Sequence, residues 1–381
     1  MSDIRDIVRR VLASEGAVVE PIEPEGLELI APPRVQRELG IPEFARLGFG
    51  AAEWPEGAAR VSLESDWVDK LDALMGDRGR CLQLTAWSDR AEGQPAHPEE
   101  LLAKPCIFSN ATHRFAGSER AWTRYLLLVF KLTAVSDEKR EDIISVCVNE
   151  SNGASADHLV EPILGQLAAH GDAFTHLPTS QKLDAPWSEQ EAARWCATFL
   201  PSRIRERLAP FLSGMERRMA NDTDRLHAYY SALRSEAAAR REEVRRKAAP
   251  EEALIKREEL RLEAAEREYH AKIADVKRKY AMSVEVKLAQ AVRLAMPVHR
   301  VRGLLLRRKG KRPIHLDWNA LTKRMDSFLC EGCGGLSTTH ALCDDRLHVL
   351  CPACLAACAS CGTEFCRACH REACPRCKTA G

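Results

Sequence analysis

The chain has 381 residues, 45% apolar and 29% charged, enough for two or three domains with real cores. No run of about 18 apolar residues is present, which excludes a helical membrane span. Net charge is +1 but split: residues 1–200 hold 20 Lys/Arg and 32 Asp/Glu, net −12, and residues 201–381 hold 36 and 23, net +13.

Such asymmetry marks either a nucleic-acid-facing half or two segments that dock on each other. The opening MSDIRDIVRRVLASEG places Ile4, Ile7, Val8 and Val11 on one side of an amphipathic helix. It lacks the apolar stretch and cleavage site of a secretory signal, so the expected compartment is the cytoplasm, where thiols stay reduced.

Next, AVVEPIEPEGLELIAPP reads as edge strand or loop because of its prolines. SLESDWVDKLDALMG begins with cap candidates and repeats Trp67, Leu71 and Leu74 at helical spacing. CLQLTAW, RAWTRYLLLVFKLTAV and DIISVCVNE are strand-like, and SADHLVEPILGQLAAHG is helical. HLPTSQKLDAP reads as a linker, closing an α+β, partner-binding domain over 1–185.

Between about 202 and 247, Leu212, Met215, Met219, Leu226, Tyr229 and Leu233 fall at three- and four-residue steps, with one gap at Asp222. After Pro250 a second helix sets Ile255, Leu262, Tyr269 and Val276 seven residues apart, with Ile273 and Tyr280 beside them. The pattern predicts an antiparallel helical hairpin over 200–280, a coiled-coil arm that packs on itself or forms a homodimer. From 282 the period becomes roughly alternating, predicting a basic β segment over 282–320 with a turn at Lys309-Gly310. Its stretch HRVRGLLLRRKGKR holds seven cations and no acid: Arg300, Arg302, Arg307, Arg308, Lys309, Lys311 and Arg312. These are the candidate phosphate contacts.

Of fifteen cysteines, Cys81, Cys106, Cys147 and Cys196 are scattered and read as small buried hydrophobes. The other eleven lie between 330 and 377, in a domain expected over 328–381. Cys-x-x-Cys points two thiolates from a tight turn into one tetrahedron, and two such pairs close a zinc site. Cys330, Cys333, Cys351 and Cys354 form one expected site in a zinc-ribbon or treble-clef array; Cys358, Cys361, Cys374 and Cys377 form a second. Cys366 and Cys369 need two further ligands, drawn from Cys343, His348 or His370, so two to three ions are expected. Redox catalysis needs one pair, disulfides need an oxidising compartment, and an iron–sulfur cluster needs four cysteines without these knuckles.

The order Cys330-x-x-Cys333, Cys343, His348-x-x-Cys351-x-x-Cys354, Cys366-x-x-Cys369 resembles the cross-braced RING finger. In that family a cysteine commonly stands two residues before the histidine, where this chain has Arg346. CGTEFCRAC resembles part of an in-between-RING finger. KYAMSVEVKL, IHLDWNALTKRMDSFLCEGCG and the terminal knuckles together resemble bacterial zinc-knuckle proteins encoded beside Swi/Snf-type helicases. That resemblance implies a helicase or DNA-associated partner.

No phosphate loop, dinucleotide fingerprint, His-Glu-x-x-His or nucleophile elbow is present. The expected function is therefore a non-enzymatic zinc adaptor contacting nucleic acid and a protein partner. A pure protein–protein scaffold and a RING-like, ubiquitin-ligase-type module are the alternatives.

Overall fold

A computed structural model describes residues 4–23, 25–50, 57–62, 64–76, 81–85, 94–169, 183–247, 251–308, 310–370 and 373–378. Helices and mostly antiparallel sheets make the chain α+β. It divides into two compact units, Met1–Arg80 and Cys81–Gly381. The boundary expected near 185 thus moves to 80/81, because strands on both sides of residue 185 share one sheet. Most of the linker expected there lies outside the described residues.

In the first unit, β1 (Val18–Ile22), β2 (Gly26–Ile30), β3 (Phe44–Gly48) and β4 (Ala59–Arg60) pair in sequence order. Pro21 sits in β1, an edge strand, where a missing ladder donor is tolerated. The helices α1 (Ile4–Ser14), α2 (Pro33–Leu39) and α3 (Trp67–Met75) complete its core through Val8, Leu12, Val35 and Leu74. Ile7 is exposed; Leu12 takes the place expected for it on the buried stripe of α1.

The second unit is built on one sheet. β6 (Thr112–Val135) and β8 (Ser283–Arg307) pair antiparallel along almost their whole length. β7 (Lys139–Asn149) flanks β6 on the outer side. The other edge of β8 is shared: β5 (Cys81–Thr85) covers Ala291–Ala295, and β9 (Gly310–Asn319) covers His299–Arg307. Pro297 falls between those two partners, so its missing N–H breaks no ladder on that edge. The basic segment expected as a separate 282–320 module is therefore the middle of this sheet.

The run Tyr125–Phe130 is apolar without alternation because β6 is covered on both faces. Leu126, Leu128 and Phe130 pack under α6 (Glu189–Arg245), against Trp195, Leu208 and Phe211. Tyr125 and Leu127 pack against the 157–159 turn and α5 (Val160–Ala169). α4 (Pro98–Ala103) seals one end through Leu102.

Beyond the sheet, α6 runs alongside α7 (Glu252–Lys279). Ion pairs Asp222–Lys279, Arg234–Glu266 and Arg245–Glu259 give an antiparallel register. Tyr230, not the expected Tyr229, is the buried tyrosine: 3% exposed against 63%. Its ring meets Tyr269 at 5.8 Å. At the base, Arg218 holds Asp137 in the β6–β7 turn at 2.6 and 3.1 Å. No described helix is long and apolar enough to cross a membrane.

Candidate metal centres and the basic strand

After β9 the chain passes through β10 (Arg324–Met325), β11 (Ala341–Leu342), β12 (Val349–Leu350), β13 (Leu355–Ala357) and β14 (Glu364–Cys366). These short strands make two hairpins, β11–β12 and β13–β14, with tight turns between that carry the thiols. In three of the knuckles the residue after the second cysteine is left-handed: Gly334 (φ 74°), Gly362 (φ 68°) and Lys378 (φ 60°). Each closes its turn by donating to the first cysteine's carbonyl, at 2.7, 2.8 and 2.9 Å.

Three four-donor groups result, the ligand atoms within each lying within 4.8 Å of one another. The first joins Cys330, Cys333, Cys351 and Cys354; the second Cys343, His348, Cys366 and Cys369; the third Cys358, Cys361, Cys374 and Cys377. Thiolates about 2.3 Å from a tetrahedral ion stand roughly 3.8 Å apart, and a thiolate and an imidazole nitrogen about 3.6 Å apart. Cys333 and Cys351 are 3.8 Å apart, Cys361 and Cys374 3.6 Å, Cys358 and Cys377 3.4 Å. His348 Nδ1 lies 3.6 Å from Cys366 Sγ and 3.3 Å from Cys369 Sγ. The donors fit one four-coordinate ion per group.

Backbone amides point at the sulfurs, as befits thiolates: Cys351 N–H donates to Cys330 Sγ and His348 N–H to Cys343 Sγ, both at 3.2 Å. Of the further candidates left open by sequence, Cys343 and His348 are the two whose donor atoms gather with those of Cys366 and Cys369. Leu347, left-handed at φ 58°, turns the chain directly before His348. His370 instead faces Asp345 at 3.5 Å and caps its own knuckle with its amide. The first and second groups are interleaved along the chain, and the third interleaves with the second.

The scattered thiols are a different population. Burial pushes Cys106 up to about 12 and Cys147 well above the ordinary thiol range, so both stay protonated and unreactive.

The candidate phosphate contacts are mostly engaged inside the molecule. Arg300 grips buried Asp317 at 2.9 and 3.0 Å. Arg302 pairs with Glu119, Arg307 with Asp344 at 2.9 and 3.1 Å, and Arg312 with Glu331 at 2.8 and 3.1 Å. Arg308 and Lys311 are exposed, and Lys309 lies outside the described residues. A usable signal was present for the first pair. A hairpin setting Arg307 opposite Gly310 puts Arg300 opposite Asp317.

Asp317 belongs to a buried network that the sequence did not announce. The Asn149 side-chain amide donates to Asp317 and Asp326, each at 2.8 Å. Burial, then the charge of Asp317, raises the Asp326 carboxyl well above the usual range, so it holds its proton.

No protein-family model matches the chain, and no curated protein matches it.

Proposed function

We propose that the protein is a non-catalytic adaptor in which three zinc ions organise a module that binds a protein partner. The observation that carries this reading is closure. Each group has four protein donors, leaving no position for water or substrate, as in structural zinc sites. Sets of four cysteines, or of three cysteines and one histidine, at these separations suit zinc, and three interleaved groups are not the arrangement of one iron–sulfur cluster.

Neutralisation of four of the seven candidate cations by carboxylates favours a protein surface over a phosphate track. The α6–α7 pair serves as a coiled-coil spacer, and the resemblance to helicase-associated knuckle proteins makes a Swi/Snf-type helicase the first partner to test. A ligase-type module is the second reading, favoured by the RING-like interleaving of the first two groups.

The test is affinity capture from the native host with metal-loaded and chelated full-length chain, beside a DNA titration at two salt concentrations. The adaptor reading expects one partner, lost on chelation, and no DNA binding. Capture indifferent to chelation overturns it, and salt-sensitive DNA binding restores the nucleic-acid reading. Faster discharge of a ubiquitin-loaded conjugating enzyme would select the ligase reading.

A further inference from the structure

A cleft of ≈ 730 Å³ opens in the second unit between the end of α4, the 157–159 turn, β10 and the loop that follows Cys333. Its size lies within the range of ligand-binding clefts, roughly 300–1,000 Å³. Lys104, Lys323 and Arg324 line it, all exposed and none with an ion-pair partner among the described residues. Ile107 and Leu336, also lining it, are 52% and 48% exposed, so apolar side chains stand beside the cations. We propose that this cleft is where the partner docks, and that it takes an acidic peptide segment carrying an apolar anchor residue. The proposal rests on the protein-adaptor reading and adds the place and the chemistry of the contact.

The carboxylates in the cleft do not compete for the role of counter-charge. Asp157 is engaged by Arg203 and by the amide of Cys147, and Asp326 is fully buried on Asn149. The unpaired cations therefore face solvent without an internal anion. Among the lining residues, His158 Nε2 and His340 Nδ1 are buried without a hydrogen-bond partner. Burial lowers both histidines, His158 to about 4, so each imidazole is neutral near pH 7.

Lys323 is held in the left-handed region at φ 55°, a conformation that non-glycine residues keep where their surroundings impose it. Leu336, Ser337, Thr338 and His340 come from the chain between Cys333 and Cys343. Those two cysteines belong to different candidate metal groups, so with both groups loaded one wall of the cleft would be pinned at both ends.

The probe is a fluorescein-labelled Asp/Glu-rich peptide bearing Leu and Phe, titrated into metal-loaded full-length protein by fluorescence anisotropy. Its analogue with Lys at every acidic position is the control, and inorganic phosphate and ATP are the competitors. Saturable binding of the acidic peptide alone is expected, resistant to both competitors. Lys323→Glu combined with Arg324→Glu should weaken it roughly tenfold, since two exposed attractions become repulsions. Leu336→Asp should weaken it as well. Both variants should keep three zinc ions and the wild-type circular dichroism, because neither touches a donor or the core. Absence of binding at low salt, equal affinity in the variants, binding of the Lys analogue, or displacement by phosphate or ATP overturns the proposal. If the partner is still captured in a zinc-dependent way while these arms fail, only the cleft assignment falls and the adaptor reading stands.

Discussion

At Gly334 two constraints coincide. Its φ of 74° disfavours any side chain, and a Cβ there would lie 2.5 Å from both Phe199 Cα and Thr198 O of α6. Gly334→Ala should therefore cost roughly 2–4 kcal/mol, combining left-handed strain with overpacking against backbone. Urea denaturation at fixed zinc measures it; a loss below about 1 kcal/mol would mean the knuckle does not rest on α6. Asp326 gives a prediction in pH. Its carboxyl is raised in the folded chain, so its contribution is fully present below the unfolded Asp value of about 3.9 and declines as pH rises above it. Asp326→Asn should flatten that decline, so urea midpoints at pH 5 and pH 8 should converge in the variant and differ in the parent. Equal pH dependence in both would show that Asp326 ionises in the fold. Ten of the twelve clustered donors were legible at this scale because Cys-x-x-Cys is a local geometric instruction. The choice of Cys343 and His348 over His370 was not, since it depends on the β11–β12 hairpin and on the left-handed turn at Leu347.

Among the elements, the α6–α7 pair separates what periodicity can and cannot reveal. Three- and four-residue steps located the first helix and a seven-residue repeat the second, but adjacent Tyr229 and Tyr230 both suit a seam, and only the antiparallel register selects Tyr230. Tyr230→Ala should lose roughly 3 kcal/mol, as for other buried aromatics, whereas Tyr229→Ala should stay within about 0.5 kcal/mol. The check is urea unfolding followed at 222 nm; comparable losses would restore the expected seam. α6 begins at Glu189, about three turns before the start expected near 200, and Pro201 and Pro210 lie inside it. Ser188 and Glu191 had announced the true start. They form a capping box, the Ser188 amide donating to Glu191 at 2.8 Å and the Glu191 amide to the Ser188 hydroxyl at 3.3 Å. Long-range pairing explains the larger error. Nothing local tells β8 that its partner is β6, more than a hundred residues earlier, with two long helices between them.

For the whole molecule, anchoring to the sheet and helices makes the three candidate metal groups unequal. The first group is tied to α6 by Ser202 Oγ–H donating to Gly334 O at 3.1 Å, and to β9 by the Arg312–Glu331 pair. The second is tied to β8 by Arg307–Asp344, and the Asn110 side chain brackets Leu342 at 2.8 and 3.2 Å. The buried cluster of the third holds its own cysteines and Phe365, and the Arg376–Thr363 bond stays within it. Structural zinc contributes on the order of 10–16 kcal/mol to small modules, comparable to or above the roughly 5–15 kcal/mol by which a domain is stable. Loss of an ion from either of the first two groups should therefore dismantle both, because Cys330 and Cys354 of one share a buried cluster with Cys343 and Cys366 of the other, around Leu350. Loss of the third should leave the sheet and helices standing. A chelator titration should release one ion first and then two together, tryptophan fluorescence changing only with the second step. Cys361→Ser should purify with about two ions and a parent-like fluorescence spectrum, whereas Cys330→Ala should retain at most one and expose tryptophan. Release of all three ions in one step, or a Cys361→Ser chain as unfolded as Cys330→Ala, would show that the third group is part of the core and not an appendage to it.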